Sequence, residues 1–349
     1  MNMPRMKARS RGAGAVMARQ SEPREAAAVA GDVAAAALRI AVLIPCFNEE
    51  ITIGKVVRDF QQALPAARIY VYDNNSTDRS AAIARAAGAV VRHEAQQGKG
   101  YVVRRMFADI DADIYVLVDG DDTYDAAAAP CLVATLLDEP CDIVNAVRVG
   151  AAAAAYRRGH RLGNRLLTGL VSHTFDRTTD DMLSGYRVFS RRFVKSFPAM
   201  SGGFEIETEL TVHAFELGMP VAEIRTDYKE RPAGSSSKLS TYRDGLRILT
   251  TIVILLKEER PFQFFAILGA ALAIVGFTLG MPVVFEFLRT GLVPRLPTAL
   301  LATALVLLSF LSLTCGLILD TVTRGRREMK RLRYLQLSPT VRPEPGAGK

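Results

Sequence analysis

Short apolar runs separated by polar clusters recur from Arg39 onward, and their lengths set the elements. Ile40-Ala41-Val42-Leu43-Ile44 predicts a strand stopped by Pro45. Glu49 and Glu50 are placed for the first turn of a helix that runs to about Leu64. Ile69-Tyr70-Val71-Tyr72 predicts a second strand. It ends in Asp73-Asn74-Asn75-Ser76-Thr77-Asp78, where Ser76 would cap a helix through Ala87. Val90 and Val91 mark a third strand, Gly98-Lys99-Gly100 opens another helix, and Ile114 to Val118 returns to the sheet. This alternation predicts an α/β fold with a doubly wound, mostly parallel sheet flanked by helices. The polar clusters follow strands, at the edge where open sheets bind ligands.

One junction stands out. The run Tyr115-Val116-Leu117-Val118 ends in Asp119-Gly120-Asp121-Asp122-Thr123-Tyr124-Asp125, four carboxylates within seven residues. Carboxylates so close repel one another unless a cation lies between them, and a hard divalent ion, Mg²⁺ or Mn²⁺, is the natural partner. Such an ion keeps positions for water and phosphate oxygens. A solvated acidic turn is the bland alternative, since D-x-D alone is common.

Further along, the pattern changes scale. Pro261 to Phe285 and Leu296 to Leu319 carry no charged residue, and each exceeds the roughly 20 residues that cross a bilayer core. Lys257 and Arg260 precede the first stretch, and six Lys or Arg residues between Arg324 and Arg333 follow the second. The connector offers only Arg289 and Arg295. The bias places both ends in the cytoplasm. Before the first span, Tyr242, Leu246, Leu249, Val253 and Leu256 share one helical face, as in an interfacial helix. The expected organisation is a disordered extension over 1–38, a catalytic domain over 39–240, an amphipathic juxtamembrane helix over 241–260, a two-helix transmembrane hairpin over 261–320, and a basic cytoplasmic tail over 321–349.

Composition narrows the chemistry. Net charge is +8, with basic residues gathered at the N-terminus, between Arg148 and Arg192, and after Arg324. The aromatic interleaving of single-strand nucleic-acid binders is missing, so nucleic acid is not an expected partner. The four cysteines form no C-x-x-C pair, which argues against zinc or a disulfide framework. His160, His173 and His213 have no ligand spacing. No G-x-G-x-x-G follows the first strand, and Gly98-Lys99-Gly100 is not a P-loop because His93 and Gly100 stand at its defining positions.

Pro45-Cys46-Phe47-Asn48-Glu49-Glu50, then Asp73 to Asp78, Gly98-Lys99-Gly100 and Asp119-Gly120-Asp121 resemble the successive motifs of family 2 (GT-A) glycosyltransferases. Asp181-Met182-Leu183-Ser184-Gly185-Tyr186-Arg187, Gly203 to Glu207, and Arg231 to Lys238 narrow the resemblance to polyprenyl-phosphate glycosyltransferases, including bactoprenol glucosyltransferases and dolichol-phosphate mannose synthases. The resemblance covers about 39–335. It implies that Pro45, Phe47, Glu49 and Asp73 line the nucleotide pocket and that Asp119 and Asp121 hold the metal. Thr123 stands where some members carry a glutamine ligand, and Asn74 replaces the second acid of the usual Asp-Asp pair. Asp181 sits at the position of a candidate base.

Charge-assisted bonds to phosphate are the strong ones, which makes Lys99, Arg231 and Lys238 candidates at the nucleotide sugar's diphosphate. Arg148, Arg161 and Arg187 are candidates at a lipid phosphate. A phosphate monoester has its second pKa at about 6, so the acceptor hardly needs a base; Asp181 could instead orient an arginine such as Arg187. The expected activity is inverting, Mg²⁺- or Mn²⁺-dependent transfer of a hexose from a nucleotide sugar, UDP-glucose first, to undecaprenyl or another polyprenyl phosphate. A GDP-mannose-dependent enzyme and a non-enzymatic nucleotide-sugar-binding scaffold are the alternatives. A processive synthase would carry Q-x-x-R-W, and the chain has no tryptophan. The setting is the cytoplasmic (inner) membrane, and a homotetramer is the assembly found among the resembling enzymes.

Overall fold

The computed structural model describes residues 38–149, 169, 179–203, 205–232, 250, 253–254 and 257–340, with the backbone of Ala18–Arg19. Two compact units emerge, one of 1–238 with 334–349 and one of 239–333.

The first unit is an α/β sheet. Its strands are β1 (Ala18–Arg19), β2 (Ile40–Cys46), β3 (Arg68–Asp73), β4 (Val90–His93), β5 (Ile114–Leu117), β6 (Ile143–Val149), β7 (Arg187–Ser190) and β8 (Val221–Asp227), in the spatial order β1-β8-β6-β7-β5-β2-β3-β4. The two-residue β1 extends the edge beside β8; the rest of the expected disordered extension lies outside the described residues. All neighbours run parallel except β7, which is antiparallel to both β5 and β6. The helices are α1 (Ile53–Ala63), α2 (Ser80–Ala86), α3 (Lys99–Asp109), α4 (Ala129–Asp138), α5 (Arg191–Ser196) and α6 (Ile206–Glu216). Strands β2 and β5 read as continuous apolar runs because both faces are covered, and all four residues of β5 are buried. Val42, Ile44, Val71, Val116 and Val188 meet Phe60 of α1 in the core.

Three local expectations are corrected. Pro45 does not stop the strand, which continues to Cys46 and pairs Pro45 with Tyr72. The carbonyl of Leu43 faces β5, accepting from Val118 at 3.1 Å, so the missing amide of Pro45 falls on that same side, beyond the last β5 pairing at Leu43–Leu117. No ladder bond is lost there. Helix α1 starts at Ile53 rather than at the acids; the Glu49 carbonyl accepts the amides of Thr52 and Ile53 at 3.1 and 2.9 Å. Ser76 does not cap α2. Its hydroxyl accepts the Asn48 amide at 2.9 Å, and Asp78 takes the Ser80 amide at 2.9 Å instead.

The second unit is a helical hairpin of α7 (Pro261–Thr290) and α8 (Leu296–Leu335), whose last two residues belong to the first unit. Gly291, at φ 67°, closes α7 with its amide on the Phe287 carbonyl at 2.8 Å, a left-handed cap that glycine adopts without strain. Glycines line the helix contact. A Cβ on Gly276 would lie 3.2 Å from the Ala302 carbonyl, and one on Gly269 would lie 3.1 Å from that of Ser309. Ser312 donates to the Phe265 carbonyl at 2.8 Å. Outward stand Ile267, Phe277, Leu288, Leu300 and Phe310, all more than half exposed or nearly so. Only 11% and 17% of the two most apolar windows is buried, the reverse of a soluble core helix, and both helices are long enough to cross a membrane. Of the expected juxtamembrane helix, Thr250, Val253, Ile254 and Lys257 to Glu259 are helical; the other positions lie outside the described residues.

Candidate active site

Chain order reverses between β2 and β5. From β2 the chain steps outward to β3 and β4, then returns to place β5 on the other flank. Open sheets bind ligands at the carboxyl ends of strands at such a switch point, and the acidic junction begins there, just past β5. The buried Thr52 hydroxyl donates to the Gly120 carbonyl at 2.7 Å, tying the junction to the start of α1. Asp122 takes a left-handed φ of 57° and pairs with Lys55 at 2.8 Å.

Each acid of the D-x-D pair already has a cation. Lys99, 7% exposed, lies 2.5 Å from Asp119 and 2.6 Å from Glu207. Arg231 lies 2.6 Å from Asp121, which also accepts the Thr123 hydroxyl at 2.6 Å. Burial, and then the neighbouring Asp119, push the Asp121 carboxyl above the usual carboxylate range. Burial works against the Lys99 charge, but Asp119 and Glu207 outweigh it and hold the ammonium above its ordinary value. Gly185 has a steric reason: a Cβ there would lie 2.2 Å from the Asp119 carboxylate.

The Gly98-Lys99-Gly100 turn is shaped by a close backbone approach. A Cβ on Gly100 would lie 2.1 Å from the Ser201 carbonyl, and one on Gly98 2.2 Å from that of Gly202. Gly98 also needs its φ of 141°. The Gly100 amide donates to the Gly202 carbonyl at 3.1 Å. Asn74 braces the same turn from below. Its amide nitrogen donates to the carbonyls of Glu94 and Gln96 at 3.0 and 2.7 Å, and its oxygen accepts the Gly98 amide at 2.7 Å. An ionised aspartate has no donor for those two carbonyls, which gives the departure from the usual acid pair a physical cause. Beside it, Asp73 is buried; one oxygen accepts the Ser76 amide at 3.3 Å and the other has no hydrogen-bond partner among the described residues. Pro45, Phe47 and Glu49 are half-buried at the neighbouring end of β2.

A second polar cluster lies past β6. Asp181 is buried and grips Arg148 with both oxygens, at 2.6 Å to Nε and 2.8 Å to Nη2. It also accepts the amides of Arg148 and Leu183, each at 3.3 Å. The Arg148 guanidinium stands 5.4 Å over the Tyr228 ring. Tyr228 packs edge-on against Tyr124, whose hydroxyl accepts the Gly185 amide at 2.8 Å. A chain of contacts thus links Arg148 to the acidic junction.

Arg187, expected at a lipid phosphate, is instead an interior cation at 1% exposure. It donates to the carbonyls of Ser184 and Met182 at 2.9 and 2.5 Å and to the Thr211 hydroxyl at 2.9 Å. Its work is to hold the 182–186 turn, and the arginine that Asp181 orients is Arg148. Arg161 and Lys238 lie outside the described residues. Glu207 is the site residue the sequence left without a role. It sits in the Gly203 to Glu207 motif, but its partner is over a hundred positions earlier in the chain.

Asp119 and Asp121 are hard oxygen donors that suit Mg²⁺ or Mn²⁺, and the two protein cations on them mark where positive charge is stable. Among the described residues, no group of three or more His, Cys, Asp or Glu side chains gathers around one point. An ion here would therefore draw most of its ligands from phosphate and water. All four cysteines are free thiols, and burial pushes Cys46 up to about 12.

Comparison with known proteins agrees with this architecture. The model of glycosyl transferase family 2 matches residues 41–197. Glycosyltransferase AglJ of Haloferax volcanii is 30% identical over 85% of this chain and 98% of its own length. Dolichyl-phosphate hexose transferase of the same organism is 29% identical over 63% of this chain and 95% of its own. Among solved structures, glucosyl-3-phosphoglycerate synthase of Mycobacterium tuberculosis, in complex with Mn²⁺, UDP-glucose and phosphoglyceric acid, superposes with a TM-score of 0.52. It is 25% identical, over 65% of this chain and 81% of that one. With the sheet order, the acidic junction at its switch point and these relatives in agreement, the chain belongs to glycosyl transferase family 2.

Proposed function

We propose that this hexosyltransferase moves a hexose from a nucleotide sugar, UDP-glucose first, onto a polyprenyl phosphate such as undecaprenyl phosphate, with inversion, at the cytoplasmic face of the membrane. One observation carries the reading: a D-x-D pair ringed by cations and a separately held arginine, Arg148, occur in one chain with two long apolar helices. The dolichyl-phosphate hexose transferase resemblance supports a lipid phosphate acceptor, and the Mn²⁺ and UDP-glucose of the solved relative support the donor side.

The division of labour follows from the side chains. Asp119 and Asp121 would hold Mg²⁺ or Mn²⁺, which when bound supplies Lewis-acid stabilisation of the departing diphosphate. Lys99 and Arg231, with Lys238 as a further candidate, contact the diphosphate. Asp73 offers a buried carboxylate oxygen without a partner, a costly group that a ribose or base donor would satisfy. Pro45, Phe47 and Glu49 complete that pocket. Arg148, joined by Arg161, receives the lipid phosphate, and Asp181 keeps the Arg148 fork oriented.

The test is a transfer assay in detergent with Mn²⁺ or Mg²⁺, undecaprenyl phosphate and labelled UDP- and GDP-sugars. Label from one sugar passes into the lipid phase and is abolished by EDTA. Nucleotide binding without transfer from any sugar would instead support a scaffold, and transfer from GDP-mannose alone would reassign the donor.

A further inference from the structure

The cations at the D-x-D pair raise a problem of exchange. Lys99 lies 2.5 Å from Asp119 and Arg231 lies 2.6 Å from Asp121. The ammonium holds Asp119 Oδ1 and the guanidinium holds Asp121 Oδ2, so a divalent ion that takes those oxygens must compete with them. Each pair has one shielded member: Lys99 is 7% exposed beside Asp119 at 29%, and Asp121 5% beside Arg231 at 32%. Charge–charge energies are large in such surroundings. Asp119, Asp121 and Glu207 set three negative charges against the two positive ones of Lys99 and Arg231.

Adding a divalent ion alone would place two more positive charges beside the two cations already there. Adding the diphosphate diester of a nucleotide sugar alone would bring two negative charges toward the same three acids. Added together, ion and diphosphate change the local charge by nothing, and each takes the partner the other releases. Glu207 makes the exchange short-range. It is 2.6 Å from Lys99 and can keep the ammonium when Asp119 gives it up.

We propose that Lys99 and Arg231 are resident counter-ions of the D-x-D pair, displaced when a divalent ion and the nucleotide diphosphate enter together, with Glu207 retaining Lys99 during the exchange. This rests on the donor reading above and adds a thermodynamic rule to it. The ion and the nucleotide bind with strong mutual coupling, and the ion alone binds poorly. By linkage, each ligand raises the affinity of the other by the same factor.

The experiment is Mn²⁺ titration of the full chain in detergent, with free Mn²⁺ read by electron paramagnetic resonance, with and without UDP. In the wild type, UDP tightens Mn²⁺ binding by about thirtyfold or more, within the usual range of coupling. Arg231→Met and Lys99→Met remove a competitor, so Mn²⁺ alone binds about tenfold tighter and the gain from UDP shrinks. Glu207→Gln moves the other way: with one acid fewer to retain Lys99, the ammonium holds Asp119 more firmly, and Mn²⁺ alone binds more weakly than in wild type. Arg231, a third exposed, is the variant least prone to disturb folding, and with Glu207→Gln it decides the matter if Lys99→Met does not fold. Unchanged or weaker Mn²⁺ binding in Arg231→Met, or UDP binding with no coupling to Mn²⁺, overturns the exchange while leaving the donor site standing. Failure of UDP to bind with or without Mn²⁺ overturns the donor site and the exchange together.

Discussion

At the scale of single residues, the acidic junction and the Arg148 pair make separable demands. Asp121→Asn keeps an oxygen for the Thr123 hydroxyl but loses the charge, so the fold persists and metal-dependent turnover falls by more than about a hundredfold, as for other groups that stabilise developing charge. Circular dichroism with the transfer assay checks both halves; turnover near the wild-type rate in Mg²⁺ would remove Asp121 from the metal set. On the proposed reading Asp181 acts through the Arg148 it pairs with, so Asp181→Ala, Arg148→Ala and the double variant should lose similar amounts of activity, with the acceptor KM raised in each. Additive losses, or an acidic limb of the pH profile that disappears only with Asp181, would make it a proton acceptor. Sequence made the acids legible because carboxylates after an apolar strand are conspicuous. It could not reveal that Asp181 faces Arg148 rather than Arg187. That choice depends on β6 and β7 lying side by side and on Arg187 turning inward to the 182–186 carbonyls.

Elements show the same boundary between local and tertiary information. The β-α alternation was readable from period and turn residues, and strands β2 to β5 fall where the apolar runs place them. Pro45 misled because a strand edge free of pairing is a property of the neighbour, not of the proline. Ser76 misled because its hydroxyl serves Asn48 across two loops rather than its own helix. The glycine turn of α3 gives a direct test. Gly100→Ala forces a Cβ against the Ser201 carbonyl and should destabilise the first unit by about 3 kcal/mol, near the upper end for one substitution. A melting temperature equal to wild type would show that the 201–203 turn yields easily. In the hairpin, Gly276→Leu should separate α7 from α8, because its Cβ alone would lie 3.0 Å from Val306 and 3.2 Å from the Ala302 carbonyl, with no room for the rest of the side chain. A disulfide-trapping pair engineered across the two helices reports it, with unchanged cross-linking as the contrary result.

For the whole molecule, α8 has 40 residues and is about 60 Å long, twice the hydrocarbon thickness. Its basic second half therefore extends well past any bilayer its apolar first half occupies. The full chain should remain in the membrane pellet through alkaline carbonate extraction, and release into the supernatant would show that the hairpin does not span. Net charge and apolar stretches announced this division in the sequence; the depth of the small-residue seam between the helices did not, since it needs the pairing of Gly269 with Ser309.

The lone reversed strand has a consequence for how such proteins diverge. Because β7 runs against its neighbours, Arg187 at its start is level with Leu117, the last residue of β5, and with Asn145, the third residue of β6. The stretch between Val149 and Arg187 thus begins at the end of β6 and ends level with the last residue of β5. Its length and composition can drift without re-registering any strand. On the proposed function, variation in that stretch bears on acceptor choice, while Asn74 and the glycine turn keep the proposed donor half in place.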